Sequence, residues 1–285
     1  MLPCFVDFHC HSTSSDGSLP PRELVQSAHR QGVHWMALTD HDTTAGLSEA
    51  RAEAEALGMR FTNGIELSAT WENGHCHILG YGFDKENPAL KEAIACFQVA
   101  RSGRIQKMVD KLGELGLSMS VEDLKIPPGT SAGRPHLAKA MVEKGFVPTM
   151  DEAFEGYLVK GAVAYVDKEI YTPQEVIQLI AQAGGFAVLA HPTSLRLKRE
   201  SFLECLIEFK GFGLAGVEAY HSSHSRHQCN RLVRQSREAG LWAVGGSDYH
   251  GDAKPWVKMG RLKKGRKILS AWISPEFLEQ LSTKS

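Results

Sequence analysis

Three things are scarce in this 285-residue chain, and each removes a class of function. No apolar run approaches the roughly 18 residues that a bilayer crossing needs, and no charged segment followed by an apolar stretch opens the chain, so neither a membrane span nor a cleaved leader is expected. An excess of either charge is missing too, with 32 Lys and Arg against 33 Asp and Glu. That balance argues against a broad nucleic-acid or membrane surface and requires any anionic ligand to be held locally. Cysteine is sparse: the six, at 4, 10, 76, 96, 205 and 229, form no C-x-x-C pair and sit mostly in apolar surroundings. A disulfide framework or zinc finger is therefore a poor reading, and a reduced, cytoplasmic protein with no membrane contact is expected.

What is present is an alternation. Strand-like runs "CFVDFH", "WMALTD", "RFTNGIEL", "HCHILGYGF", "GFAVLAHP", "LAGVEAYH" and "LWAVGGSDYH" are separated in many places by helical patterns such as "PPRELVQSAHRQG" and "TPQEVIQLIAQAGG". Such alternation means βαβ units around a parallel sheet or barrel, with doubly wound folds still open. Residues 84–164 break the rhythm with helix-rich sequence, which predicts a helical insertion subdomain covering the site of a discontinuous α/β domain formed by 1–83 and 165–285. No internal repeat or low-complexity tract is visible.

Each strand candidate carries a metal-capable side chain at its end. His9 and His11, one residue apart, leave the same face of the first, with Asp16 in the loop beyond. The others bring His41, Glu66, His77, His191, Asp248 and His250, together with His221 in "AYHSSH". A single histidine at a strand end is more often a hydrogen-bonded core residue. So many imidazoles and carboxylates on one barrel face would be costly to bury unless cations neutralise them. A set of His and carboxylate without cysteine suits Zn, Mn or Fe, and nine ligands fit two or three ions, an arrangement characteristic of phosphate-ester cleavage.

The motifs "FHCHS", "LTDHDT", "GIELS", "LAHP" and "GSDYH", in this order over about 1–83 and 165–265, resemble the polymerase and histidinol phosphatase (PHP) superfamily. The resemblance implies a distorted (βα)7 barrel with a trinuclear metal centre. It places His9, His11, Glu66 and Asp248 on one ion, Asp16, His41 and His250 on a second, and Glu66, His77 and His191 on a third, Glu66 bridging. Three divalent ions are expected, Mn2+ first, with Zn2+ and Fe2+ accepted by the same donors. His75, on the opposite strand face, and the helix-flanking His29 and His34 are not expected to act. Asp40 and Asp42 are expected to orient His41 or a water, and His224 and His227 to begin a helix.

Within the insertion an apolar stripe runs through Ile94, Phe97, Ile105, Met108, Leu112 and Leu115, and Arg101 falls into it. A guanidinium there needs an internal acid or a phosphate, for which its fork is suited. Arg104 lies beside it. Arg134, in "GRPH" where a helix begins, opposes the helix dipole unless an anion joins it. The pair "ARSGRI" and "GRPH" resembles the family subgroup that hydrolyses nucleoside 3',5'-bisphosphates, related members of which trim 5'-phosphorylated RNA. Substrate contacts are therefore expected from Arg101, Ser102, Arg104, Arg134 and His221.

The expected reaction is removal of the 3'-phosphate of a nucleoside 3',5'-bisphosphate by a hydroxide held between ions, with Asp16, Asp248 or His250 handling the proton. A 5'-3' exoribonuclease on short 5'-phosphorylated RNA is the alternative. Histidinol phosphatase leaves the arginines unexplained, and a non-catalytic PHP module is disfavoured by the complete ligand set. No obligate protein partner is indicated.

Overall fold

The structure, a computed structural model, describes residues 3–72, 74–127, 130–167 and 171–284. Strands β1 (Val6–Asp7), β2 (Trp35–Leu38), β3 (Arg60–Ala69), β4 (Cys76–Tyr81), β5 (Phe186–Leu189), β6 (Leu214–His221) and β7 (Trp242–Gly246) lie side by side in sequence order. β7 returns to β1: Phe8 N–H donates to Gly245 O at 3.4 Å and Asp248 N–H to His9 O at 2.9 Å. A nearly closed seven-stranded barrel results.

Helices α1 (Pro21–Arg30), α2 (Leu47–Ala56), α6 (Pro173–Gln182), α7 (Arg199–Phe212) and α8 (Arg226–Glu238) lie between strands, and α9 (Pro275–Ser282) ends the chain. Prolines 21, 88, 173 and 275 sit in the first turns of their helices, where no amide hydrogen is needed. α3 (Pro88–Glu114), α4 (Arg134–Glu143) and α5 (Met150–Ala153) lie between β4 and β5. Among the described residues no helix is long and apolar enough to cross a membrane.

The sheet is not wholly parallel. β4 runs antiparallel to both neighbours, while the other pairs are parallel. The reason is length: only residues 70–75 join β3 to β4, and a parallel crossover needs about a dozen. His77 consequently stands near the start of β4, not at its end, yet pairs with Ser68 at the end of β3 and so reaches the common rim.

Period-two alternation separates two cores. Val6, Phe8, Trp35, Ala37, Leu79, Tyr81, Val188 and Val244 fill the barrel. Met36, Leu38, Ile65, Leu67, Ile78, Leu189 and Val217 alternate with them and pack beneath the helices. Phe277 of α9 plugs the floor, its ring 5.5 Å from Phe8 and 5.3 Å from Tyr81, both edge-on. Each such ring contributes about 1.5–3 kcal/mol by leaving water.

α3 belongs to both halves of the molecule. Ile94 and Phe97 join the barrel's outer core, whereas Ile105, Met108 and Leu112 pack with Leu137 and Met141 of α4 in a separate cluster. Leu115 departs from the expected stripe: it lies past the helix end and is exposed.

Candidate metal centre

At the rim the inward positions change from apolar to ionisable. On β3 the inward set contains Glu66, fully buried, and on β6 it contains Glu218, equally buried. Around Glu66 stand five imidazoles. Its Oε1 lies 2.8 Å from His77 Nδ1 and 2.8 Å from His191 Nε2, and its Oε2 3.1 Å from His41 Nδ1 and 3.2 Å from both His9 Nε2 and His11 Nε2.

Donor atoms fall into overlapping groups, each within a few ångströms. His9, His11, Glu66 and Asp248 form one, His11, Asp16, His41 and His250 a second, and His41, Glu66 and His77 a third. His191 joins through Glu66. The structure thus brings together all nine residues that the motifs single out.

Several features fit these residues to cations. His9 Nε2 and His11 Nε2 face each other at 3.1 Å, close enough for one cation to take both as ligands once both rings are neutral. Asp16 Oδ1 and His41 Nδ1 are buried without a well-formed hydrogen bond, although His250 Nε2 and Glu66 Oε2 stand 3.2 and 3.1 Å away; poorly satisfied buried atoms of this kind are favourable places for a cation. In the protein alone the charges partition unevenly. Burial opposes an imidazolium at His9, but Glu218 and Glu66 beside it overcome this and hold its pKa well above the usual range. His11 is likewise carried against burial to about 9 by Asp248 and Glu66. Burial pushes His41 well below its ordinary value despite Glu66 and Asp16. Glu66, Asp16 and Asp248 stay ionised, their neighbours outweighing desolvation.

The ring nitrogens that face away from the cluster are anchored. His9 Nδ1–H donates to Glu218 Oε1 at 2.8 Å, His250 Nδ1–H to Asp248 O at 2.9 Å, and His191 Nδ1 meets Ser194 Oγ at 3.0 Å. Anchoring of this kind orients ligating imidazoles and raises their basicity. Glu218 also accepts the His191 amide hydrogen at 2.6 Å, so it positions two rings at once. Its inward placement three residues before His221 is the only signal of it in the sequence.

The backbone is strained at the same place. Asp42, His191 and Asp248 adopt φ of 51°, 25° and 58°, a region L residues rarely occupy and one that persists where surroundings over-determine it. Gly246 is needed for close approach: a Cβ there would stand 2.2 Å from His9 Cβ.

The two acids of "LTDHDT" do not orient His41. Asp40 accepts from Ser12 N–H at 2.7 Å, Ser12 Oγ at 2.6 Å and Ser15 Oγ at 2.6 Å, clamping the loop that carries Asp16. Asp42 accepts from Ser68 N–H at 2.8 Å and forms a close ion pair with Arg101 Nε. The stripe's arginine therefore has an internal acid, 59 residues away.

Arg101, Arg104 and Arg134 line one cavity of about 410 Å³ with Asp16, His41, Glu66, His77, His191 and Asp248. Arg101 Nη1–H donates to Ala132 O at 3.0 Å, Arg104 Nε–H to Val166 O at 2.7 Å and Arg134 Nη1–H to Leu158 O at 3.1 Å. The Arg104 Nη2 is buried without a partner. Burial, with Arg134 and Arg101 nearby, lowers Arg104 to about 10. Among the described residues Asp42 is the one carboxylate in close contact with these three guanidiniums, so the arginine wall of the cavity carries excess positive charge opposite the carboxylates of the cluster.

Ser102 is not part of this wall. One residue beyond Arg101 on α3, about 100° around the helix, it is exposed to solvent. His75, expected on the opposite strand face, lines the same cavity as His77, since residues two apart along a strand share a face. His221 also lines it, with Nδ1 on Ser223 Oγ at 2.8 Å and Nε2 3.6 Å from Asp248 Oδ2. His224 is buried between Ala219 O and Thr193, outside the helix it was expected to begin, whereas His227 is an exposed residue of α8. Lys254, absent from the motifs, donates to Asp248 Oδ2 at 2.7 Å and lines the same cavity. His136 caps α4 by accepting the Gly133 amide hydrogen at 3.1 Å. His29 and His34 are exposed.

The PHP domain model matches residues 7–209. A 5'-3' exoribonuclease of Haemophilus influenzae is 34% identical over 255 residues, covering 90% of this chain and 93% of that protein. A 3',5'-nucleoside bisphosphate phosphatase of Chromobacterium violaceum is 33% identical over 247 residues, 86% and 87% of the two chains. The solved structure of a candidate metal-dependent phosphoesterase from Bifidobacterium adolescentis superposes with a TM-score of 0.85 at 30% identity, covering 98% of this chain and 96% of that one.

Proposed function

This chain belongs to the PHP domain family and is a metal-dependent phosphoesterase, and on that premise we propose that its substrates are nucleotides, with the 3'-phosphate of nucleoside 3',5'-bisphosphates as the group removed. The observation that carries this is the placement of Arg101, Arg104 and Arg134 around the cavity that the ionisable cluster closes. A substrate with two phosphates matches two separate anion-seeking sets, one phosphate on the guanidiniums and the other at the cluster. The partnerless Arg104 Nη2 is one donor such a phosphate would satisfy.

Three divalent ions would be held by His9, His11, Glu66 and Asp248, by Asp16, His41 and His250, and by Glu66, His77 and His191, with Mn2+ as the resident metal. Bound there, they would lower the pKa of water and neutralise charge on the phosphoryl oxygens. The chain's own residues do the rest. Arg101, fixed by Asp42, and Arg134, braced on Leu158, orient the distal phosphate so that the ester to be cleaved meets the cluster. Asp16, Asp248 and His250 face the cavity and handle the proton of the attacking water. His221 Nε2, buried and without a hydrogen-bond partner, meets the departing side of the substrate.

Residues 84–164 act as a covering subdomain in this reading, supported by their own apolar cluster and by the arginines they supply to the cavity. A cytoplasmic location is supported by six free thiols, four of them buried.

The second reading, a 5'-3' exoribonuclease, is favoured by the name of the Haemophilus relative. Both substrates present a 5'-phosphate and an ester at the 3'-oxygen; they differ in whether a strand continues beyond the 3'-phosphorus. Release of product from a nucleoside 5'-monophosphate, a 3',5'-bisphosphate, histidinol phosphate and a 5'-phosphorylated oligoribonucleotide, measured with Mn2+, tests the assignment. The bisphosphate should show the highest kcat/KM, and equal or absent turnover of all four would overturn the nucleotide reading.

A further inference from the structure

A second cavity, of about 590 Å³, opens from the first. The two share His221, Ser223, Asp248 and Lys254, and the second contains none of the arginines of the helical segment. It is lined by Lys254, Lys258, Arg261, Lys263 and Lys264, with Asp248 alone among its lining residues acidic. The source is one short stretch, "KPWVKMGRLKKGRK" from Lys254 to Lys267, which carries seven cations and no acid in a chain whose net charge is -1. Charge scattered for solubility would be mixed in sign; a one-signed stretch beside an active site focuses a field on it.

The cations are held in place. Arg261 and Lys267 pair across an antiparallel bridge, Leu262 N–H donates to Arg266 O at 2.9 Å and Ile268 N–H to Gly260 O at 2.8 Å. The resulting hairpin presents Lys263 and Lys264 at its tip, Lys264 with φ of 63°. Among the described residues no carboxylate pairs with Lys258, Lys263 or Lys264, all of them exposed. Beside them Trp256 is 70% exposed, although an indole of its size is ordinarily well covered. A positively charged track with an exposed aromatic ring beside it is the arrangement that holds single-stranded nucleic acid, phosphates on the cations and a base on the ring.

We propose that this groove binds the part of a single-stranded oligonucleotide that continues beyond the scissile phosphate, its backbone on Lys258, Lys263 and Lys264 and one base stacked on Trp256. The proposal deepens, and rests on, the nucleotide reading of the site. In the reaction water adds its oxygen to phosphorus, the bond from phosphorus to the 3'-oxygen breaks, and that oxygen takes a proton. The shortened strand leaves with a new 5'-monophosphate, which is again the end that the arginines accept. A bisphosphate uses the central cavity alone, and an oligonucleotide uses both.

The test compares wild type, Trp256→Ala and the triple variant Lys258→Ala/Lys263→Ala/Lys264→Ala on a nucleoside 3',5'-bisphosphate and a 5'-phosphorylated pentanucleotide across a salt series. Bisphosphate kinetics should change by less than about twofold, while KM for the pentanucleotide rises about tenfold or more in either variant. In the triple variant the slope of log kcat/KM against log salt should flatten by about 2, three phosphate contacts at roughly 0.7 each. Unchanged pentanucleotide kinetics and slope, or an equal loss on both substrates, would overturn the proposal.

Anisotropy of a labelled oligonucleotide on metal-free protein separates the two layers of the argument. Lysine-dependent binding together with no turnover of any nucleotide by the Mn2+-loaded enzyme would sink the nucleotide-hydrolysis reading and keep the groove; binding unaffected by the triple variant would sink the groove alone. Competition by polyglutamate as strong as that by the oligonucleotide would mark a general polyanion patch and refute it as well.

Discussion

Glu218→Gln isolates the contribution of a residue that touches no substrate. The carboxylate is fully buried and holds His9 Nδ1 at 2.8 Å and the His191 amide at 2.6 Å. Glutamine has the same shape but one acceptor oxygen and one NH2, so one of the two N–H groups must face another donor. Each hydrogen bond to the charged carboxylate is worth about 1.5–3 kcal/mol, and part survives through the remaining oxygen. Loss of such an outer partner typically weakens metal binding 10- to 100-fold, about 1.4–2.8 kcal/mol. Titration of the metal-stripped protein with Mn2+ against a competing chelator reads this directly. The number of ions bound at saturation should stay as in wild type while the affinity falls, because His9 presents Nε2, not Nδ1, to the cluster. Loss of one ion from the count would make Glu218 itself a ligand. An affinity within about twofold of wild type, with kcat unchanged, would refute the positioning role.

Three other outcomes are expected. Arg101→Ala leaves Asp42 buried without its cation and should cost about 3–5 kcal/mol of stability along with kcat/KM; Arg134→Ala should lower kcat/KM on the bisphosphate with a much smaller change in Tm. Equal Tm losses in thermal denaturation would show that both are structural. Metal loading at pH 7 should release protons, because His9 and His11 have raised pKa values in the metal-free protein and must become neutral to bind. The sign follows: affinity rises with pH up to about 9, where His11 titrates, and calorimetry in buffers of different ionisation enthalpy counts the protons. A count of zero contradicts it. Gly246→Ala should displace His9 through the clash at its Cβ and reduce bound metal by elemental analysis, whereas wild-type metal content would show that β7 yields.

The rim residues were legible because strand alternation and motif order place them without knowledge of the fold. His9, His11, His41, Glu66 and His191 all stand on or beside strand runs readable from residue type alone. The long helix was legible as well, with Arg101 correctly marked as anomalous in its stripe. Its partner was not, since Asp42 lies 59 residues away and nothing in "LTDHDT" separates an acid that orients His41 or a water from one that pairs with a distant arginine. Ser102 adjoins Arg101 in "ARSGRI" yet is exposed, because one step along a helix turns a side chain by about 100°. Glu218 belongs to no motif: a lone acid in an apolar strand resembles a surface residue until the barrel closes over it.

By itself the sequence determined which positions are ionisable, which faces of strands and helices they occupy, and hence that a metal-dependent phosphoesterase is encoded. Only the tertiary structure decided which charges meet. β4 turns back because its connection is too short to cross over, and this brings His77 onto Glu66. The return of β7 to β1 sets Asp248 beside His9, and Arg101 of α3 reaches Asp42 in the loop after β2. Coulombic and hydrogen-bonding energies are settled over a few ångströms in a low-dielectric interior, and separation along the chain carries no information about those distances.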